Sequence, residues 1–222
     1  MDPKDKDFEI SRILPFEYAV NLFQNNELFF SKPSSWDDPY EKLNDYSNEK
    51  HTRVILAQCW CKTGYSDAMW RIFSQRKCLK NYGPGIQIRT HVSELKNIIN
   101  DVKDEYNFKL YSSSVNYISL RKYREIIKTE SRIKMAFIKR YAFRHELEYR
   151  FLINSSISNK NFKWYENGVN IKLNRKLSDI IHKVFIDPFA SPHLVNAVRD
   201  YLKKLGIPCS QSSIYKEPVQ AS

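Results

Sequence analysis

Glycine is scarce in this sequence of 222 residues, with only five, at positions 64, 83, 85, 168 and 206. A phosphate-binding P-loop and the glycine fingerprint of a dinucleotide-binding βαβ unit both need closely spaced glycines, and neither pattern occurs. The sequence also lacks the Gly-x-Ser-x-Gly elbow of serine hydrolases. P-loop ATPases, Rossmann-type enzymes and these hydrolases are therefore excluded.

Cysteine is also infrequent. The four cysteines are too few and too irregularly spaced for a secreted disulfide framework, so we expect reduced thiols. Cys59 and Cys61 have no second pair with zinc-ligand spacing, and the five histidines show no such spacing either. The sequence predicts no metal site.

Long hydrophobic runs are absent. The longest apolar stretches, such as 54–57 and 151–153, are far too short to span a bilayer, and the first seven residues lack the apolar core of a signal peptide. We therefore expect a cytoplasmic protein with no membrane partner.

Hydrophobic residues make up 42% of the chain and aromatic residues 14%, which indicates a globular protein. The formal net charge is +11 and the pI is about 9.4. A surface of this charge attracts polyanions such as nucleic acid, although charge alone identifies no ligand.

The order of elements predicts an α+β fold with a mixed or antiparallel sheet and flanking helices. We expect a single domain over residues 8–210, with flexible tails at 1–7 and 211–222. The predicted strands are 8–14, 28–31, 53–61, 86–89, 108–118, 148–154, 162–173 and 183–186, and the predicted helices are 16–25, 67–75, 92–102, 120–141 and 192–205.

The predicted helix 120–141 is the most basic element. It carries Lys128, Arg132 and Lys139, which either form a solvated helix face, the reading that sequence alone favours, or contact a phosphate backbone. These residues support one alternative function, a noncatalytic nucleic-acid-binding module.

The stretch from Phe143 to Ile153 alternates charged and apolar residues. If it is a strand throughout, Glu146, Glu148 and Arg150 share one face. Two carboxylates beside a guanidinium indicate either a polar functional site or a strand face with an internal salt bridge.

Four motifs occur in order along the chain: the segment Leu28-Phe29-Phe30-Ser31-Lys32-Pro33-Ser34-Ser35-Trp36-Asp37-Asp38-Pro39-Tyr40-Glu41, the pair Met69-Trp70, the segment Gly85-Ile86-Gln87-Ile88, and Glu146-x-Glu148-x-Arg150. Together they resemble the bacterial DUF-2971 family, a domain of unknown function. The chain departs from the family pattern at Asp37, at Phe143, and at Ile72-Phe73, which replaces a His-Tyr pair.

The layout of this family is similar to that of ADP-ribosyltransferases. That resemblance implies that Arg12 binds the pyrophosphate or adenosine ribose of NAD and that Ser31 and Trp36 frame its nicotinamide side. It further implies that Glu148 or Glu146 is catalytic, with Arg150 in the NAD site. Arg12 could instead be a surface residue, and Trp36 a core anchor.

The leading hypothesis is a cytoplasmic bacterial enzyme, similar to ADP-ribosyltransferases, that uses NAD to modify a nucleic acid or a protein. Such an enzyme would suit a toxin or a phage-defence effector. The alternatives are the nucleic-acid-binding module and a protein-interaction domain without catalytic activity. The sequence leaves the acceptor, the oligomeric state and the choice between the two glutamates open.

Overall fold

The computed structural model describes residues 7–42, 52–64, 66–74 and 84–216. Its strands are β1 (Glu9–Pro15), β2 (Glu27–Ser31), β3 (Arg53–Cys61), β4 (Gly85–His91), β5 (Phe108–Ser114), β6 (Asn116–Ile118), β7 (Ile138–Arg140), β8 (Glu148–Ser156), β9 (Lys163–Tyr165), β10 (Gly168–Lys172), β11 (Lys183–Ile186) and β12 (Cys209–Gln211). Its helices are α1 (Phe16–Asn25), α2 (Pro39–Lys42), α3 (Asp67–Phe73), α4 (Val92–Asn100), α5 (Leu120–Ile126), α6 (Arg132–Met135) and α7 (Pro192–Lys204).

Ten strands form one sheet. The path runs β12-β11-β4-β1-β3-β2-β10-β9, with β8 on β3 and β5 on β8. Most pairs are antiparallel, and β11 with β12 is parallel. Strands β6 and β7 form a separate parallel pair. The predicted α+β class, with a mixed sheet and flanking helices, is confirmed.

Alternation along β3 and β8 separates a main core from a second face. Leu56, Trp60, Tyr149 and Phe151 belong to the main core, which helices α4 and α7 help to cover. The intervening residues, including Cys59, Glu148 and Arg150, lie on the opposite face. The chemistry of interest is therefore on the side of the sheet that faces away from the main core.

One edge of β3 is shared between two strands. Strand β8 pairs with β3 along its whole length and so occupies the other edge. On the shared edge, β1 meets β3 only through Ser11 and Cys61, and β2 meets it only through Ser31 and Ala57. In the described ranges, neither strand pairs with residues 58–60 on this edge, and we call this interval between β1 and β2, around Cys59, the gap.

The predicted long helix 120–141 is wrong beyond Ile126. The structure has α5 and α6 with a turn between them, followed by strand β7. Ser119 caps α5 by accepting a hydrogen bond from the Lys122 N–H, and Ser131 caps α6 in the same way through Lys134. The serine cap at position 131 starts a new helix where the apolar periodicity indicated a continuous one.

Two other boundaries differ from the prediction. Helix α3 ends at Phe73, two residues before the predicted end at 75, and residues 75–83 lie outside the described ranges. At the C-terminus, the predicted tail boundary after residue 210 falls inside β12, which pairs with β11 through Gln211. None of the helices in the described ranges is long and apolar enough to cross a membrane.

Candidate active site

Five ionisable residues meet on the second face of the sheet: Glu41, Lys139, Glu146, Glu148 and Arg150. We call this group the carboxylate cluster. Glu41, Lys139, Glu148 and Arg150 are at most 7% exposed, and Glu146 is half-buried. Since α2, β7, β8 and the 3₁₀ segment Tyr141–Glu146 all contribute, the cluster forms only in the folded chain.

Lys139 bridges the three carboxylates. Its Nζ lies 2.6 Å from Oε2 of Glu146, 2.7 Å from Oε1 of Glu148 and 3.4 Å from Oε2 of Glu41. Burial alone would lower the pKa of Lys139, but the surrounding carboxylates raise it above its ordinary value. Lys139 is therefore a buried, permanently charged group at neutral pH.

Arg150 provides the second cation. Its Nε donates to Oε2 of Glu148 at 2.7 Å and its Nη2 to Oε1 at 3.0 Å. The same Nη2 donates to Oε1 of Glu41 at 2.5 Å, and Nη1 donates to the Ala136 carbonyl at 2.8 Å. The predicted salt bridge on this face therefore exists, although it is buried instead of exposed.

The cluster contains one more acidic group than basic groups, with three carboxyls against two cations. Burial would raise the pKa of Glu148, but Arg150 and Lys139 hold it well below its ordinary value. Burial and the neighbouring Glu148 raise the pKa of Glu146 to about 8, against the effect of Lys139. At neutral pH the surplus proton therefore resides on Glu146, and the cluster is electrically balanced.

The raised Glu146 pKa predicts a specific pH dependence of stability. The folded protein retains a proton that the unfolded chain loses above its ordinary pKa of 4.5, so this group lowers stability as the pH rises toward 8. Glu146→Gln has no carboxyl group at this position, so its stability does not fall for this reason as the pH rises. We expect the variant to match the parent at about pH 5 and to exceed it by about 1 kcal/mol or more at about pH 9 in urea unfolding. A difference between the two proteins that does not change with pH would contradict the assignment.

The turn that resembles the DUF-2971 motif places Glu41 in the cluster. Asp38 accepts a hydrogen bond from the Tyr40 N–H at 3.0 Å. Its Oδ1 also forms an ion pair with Nη2 of Arg140 at 2.7 Å. The Arg140 guanidinium also lies 4.2 Å from the centre of the Tyr40 ring. These contacts fix α2 against β7, and Glu41 follows one residue after Tyr40.

Ser31 and Trp36 lie together beside the cluster. Nε1 of Trp36 donates to the Ser31 hydroxyl at 2.7 Å, and that hydroxyl donates to the Ala57 carbonyl at 3.2 Å. The Arg150 guanidinium lies 4.7 Å from the centre of the Trp36 ring. Trp36 also packs on the small apolar cluster that contains Ile55. Trp36 therefore packs on the sheet and also lies beside the charged group, whereas its predicted contact with nicotinamide stays a prediction.

Arg12 lies on β1, close to the gap. It is half-buried, and burial lowers its pKa while the nearby Cys59 raises it. Its guanidinium has no hydrogen bond or ion pair with the described part of the chain. A half-buried cation without a counter-ion is unusual, because guanidinium groups removed from water are normally paired.

Cys59 connects Arg12 with the carboxylate cluster. Burial raises the pKa of its thiol, and the carboxylates of Glu148 and Glu41 raise it further. The thiol is close enough to Glu148 and to Arg12 to interact electrostatically with both. Since the thiol stays protonated, Cys59 acts as a neutral spacer at the gap and not as a nucleophile.

The structure brings together most of the predicted site residues. Ser31, Trp36, Glu146, Glu148 and Arg150 form one connected group, and Arg12 adjoins it through Cys59. The prediction that Glu146 shares one strand face with Glu148 and Arg150 is wrong. Strand β8 begins at Glu148, and Glu146 belongs to the preceding 3₁₀ segment. Lys139 links the two glutamates instead.

The three residues predicted to contact nucleic acid do not lie along one helix. Lys139 is on β7, and its ammonium is buried among carboxylates, so it is unavailable to a phosphate backbone. Lys128 follows α5 and is exposed, whereas Arg132 begins α6 and donates to the Arg53 carbonyl at 3.5 Å. The structure therefore separates these side chains into different environments.

Glu41 and Cys59 are not among the predicted site residues, and Lys139 has a role different from the predicted contact with nucleic acid. Glu41 belongs to the conspicuous turn motif, but its partner Arg150 is 109 residues away in sequence. In the described ranges, no group of three or more His, Cys, Asp or Glu side chains is arranged to hold a metal ion.

No protein-family model and no curated protein matches the chain. Among solved structures, the chain is similar to DarT from Thermus sp. 2.9 in complex with NAD+, with a TM-score of 0.41 and 10% sequence identity. The alignment covers 93% of this chain and 96% of that chain. A likeness this distant assigns no role to any residue, and the resemblance to the DUF-2971 family remains a prediction.

Proposed function

We propose that the protein is an ADP-ribosyltransferase-like enzyme that takes NAD as substrate and transfers ADP-ribose to a nucleic acid or a protein. The observation that carries the proposal is the guanidinium of Arg12 at the gap between β1 and β2, for which the described part of the chain provides no ion-pair partner. A pyrophosphate is the type of anion that a half-buried, uncompensated guanidinium binds.

The remaining residues around the gap suit the other parts of NAD. An ionised carboxylate, Glu148, adjoins the gap through Cys59, and the half-buried Trp36 provides an aromatic surface beside it. With the pyrophosphate on Arg12, the nicotinamide ribose would lie toward Glu148. The uncharged Cys59 thiol lies between these two groups and presents no charge that would repel the substrate.

The reaction breaks the bond between C1′ of ribose and the nicotinamide nitrogen. The bonding electron pair leaves with nicotinamide, C1′ becomes cationic, a nucleophile of the acceptor forms the new bond to C1′, and the proton of that nucleophile passes to solvent water. A fixed carboxylate stabilises the positive charge on ribose more in the transition state than in the bound substrate.

Arg150 and Lys139 prepare Glu148 for this role. Both cations hold the pKa of Glu148 far below neutrality, so the carboxylate is charged before substrate arrives. Both also fix its position through hydrogen bonds of 2.7 Å. We therefore assign Glu148 as the catalytic residue, with Lys139 and Arg150 as positioning residues, because an oriented charge needs little reorganisation in the transition state.

The role of Arg12 can be tested by measuring NAD affinity directly. We expect Arg12→Gln to weaken NAD binding in isothermal titration calorimetry by about 10–100-fold, since one charge-assisted contact is lost. Arg121→Gln is the matched control, because Arg121 is exposed on α5 and forms an ion pair with Glu125 of the same helix.

A second assay separates binding from turnover. Labelled NAD is incubated with the parent protein and cell extract, and both nicotinamide release and label transfer are measured. Release without transfer would indicate NAD hydrolysis by the same site. If the parent protein neither binds NAD nor releases nicotinamide, or if Arg12→Gln binds NAD as well as Arg121→Gln does, the proposed function is wrong.

A further inference from the structure

A shallow depression lies next to the carboxylate cluster, on the outer side of the 3₁₀ segment that ends at Glu146. Strand β6 and the chain leading into β8 form its walls. The lining residues are Val115, Asn116, Tyr117, Tyr141, Arg144, His145 and Leu147. None of the residues proposed above to bind NAD contributes to it, so the depression is a separate surface beside Glu146 and Glu148.

The rim of the depression combines an exposed aromatic ring with an exposed cation. Tyr141 is 54% exposed, and the Arg144 guanidinium lies 4.4 Å from the centre of its ring. Arg144 is exposed and forms no ion pair with an acidic group in the described ranges of the chain. A flat ring and a guanidinium of this kind can stack on a nucleobase while the positive charge attracts the adjacent phosphate.

The backbone at this place is held in an uncommon conformation. Leu147 has φ 45°, in the left-handed region, and its side chain remains 42% exposed. A leucine in this region is strained, and such strain is concentrated at functional sites. The conformation directs the chain from the 3₁₀ segment into β8 and leaves an apolar side chain at the mouth of the depression.

The floor of the depression contacts the proposed catalytic residue. The Tyr117 hydroxyl accepts a hydrogen bond from the Glu148 N–H at 2.8 Å. A ligand seated on Tyr141 and Arg144 would therefore lie beside the start of β8, the strand that carries Glu148.

We propose that this depression binds single-stranded nucleic acid, with one base stacked on Tyr141 and the neighbouring phosphate on Arg144. The inference rests on the proposed function and narrows its acceptor from nucleic acid or protein to a polynucleotide strand. Both the chain's net charge of +11 and the aromatic and cationic lining favour this class of ligand over an acidic or apolar peptide.

The test is binding of a fluorescein-labelled oligothymidylate in the absence of NAD, followed by fluorescence anisotropy. We expect Tyr141→Ala to weaken binding about tenfold, Arg144→Gln to weaken it and reduce its salt dependence, and Tyr141→Phe to bind like the parent. Tyr165→Ala is the matched control, because Tyr165 is 40% exposed on β9 and has Lys163 at 5.6 Å from its ring.

Each outcome decides the proposal. The proposal is supported if Tyr141→Ala and Arg144→Gln bind the oligonucleotide more weakly while Tyr165→Ala binds it like the parent. Equal weakening by all three variants would show binding by general surface charge and overturn it, as would an unaffected Tyr141→Ala. Because the assay contains no NAD, a failure here is distinguishable from a failure of NAD binding or nicotinamide release by the parent protein.

Discussion

Glu148→Gln is expected to reduce nicotinamide release from NAD by about 10²–10³-fold, the effect of removing a group that stabilises charge in the transition state. The substitution retains the size of the side chain and removes its charge. Nicotinamide released from saturating NAD would be measured by chromatography. NAD affinity should change much less than the rate, because the carboxylate acts on charge that develops after binding.

The charge balance of the cluster predicts that Glu148→Gln still folds. Without the neighbouring carboxylate, the pKa of Glu146 falls, so Glu146 ionises and again provides two negative charges against Lys139 and Arg150. Glu146→Gln is the companion variant, and it should retain release within about tenfold of the parent rate. If Glu146→Gln loses as much activity as Glu148→Gln, the assignment of the catalytic role to Glu148 alone is wrong.

Arg150→Met should cause the largest loss of stability among the variants considered, about 3–5 kcal/mol in the free energy of unfolding. The guanidinium is 1% exposed and bonds to Glu148, Glu41 and the Ala136 carbonyl. Removing it leaves Lys139 as the only cation among three carboxyls. Urea unfolding monitored by tryptophan fluorescence would measure the effect.

A double variant tests whether this loss comes from uncompensated charge or from packing. We expect Arg150→Met with Glu148→Gln to be more stable than Arg150→Met alone, because a second substitution that removes one buried carboxylate restores part of the balance. If the losses of stability from the two substitutions simply add in the double variant, Arg150 stabilises the protein mainly through packing. Arg175→Met is a suitable control, since its ion pair with Asp101 is exposed.

Much of the fold could be predicted from local sequence patterns. The predicted helix 16–25 and strand 53–61 have the observed bounds, because Pro15 directly precedes the first helix and a run of Val, Ile and Leu fills the strand. Tyr149 and Phe151 face the main core as the alternation along β8 predicts. These features depend on neighbours within a few residues of each other.

The carboxylate cluster could be predicted only in part, because its contacts join distant segments. The spacing of Glu148 and Arg150 predicted their salt bridge, but no local pattern indicates that Lys139 lies between Glu146 and Glu148. The left-handed turn at Leu147 is also unmarked, since glycine or asparagine usually occupies that conformation. Similarly, the apolar periodicity predicted one longer helix, although Ser131 caps the start of a new helix.

The way β3 shares its edge has a consequence for motion. Strands β1 and β2 are each attached to β3 at a single residue pair, whereas β8 is attached along the whole strand. Few hydrogen bonds must break for β1 and β2 to move apart, so the cost of widening the space between them is low compared with unfolding. In native-state hydrogen exchange, the amides that join β1 and β2 to β3 should therefore exchange earlier than the β3–β8 ladder, and NAD should slow them.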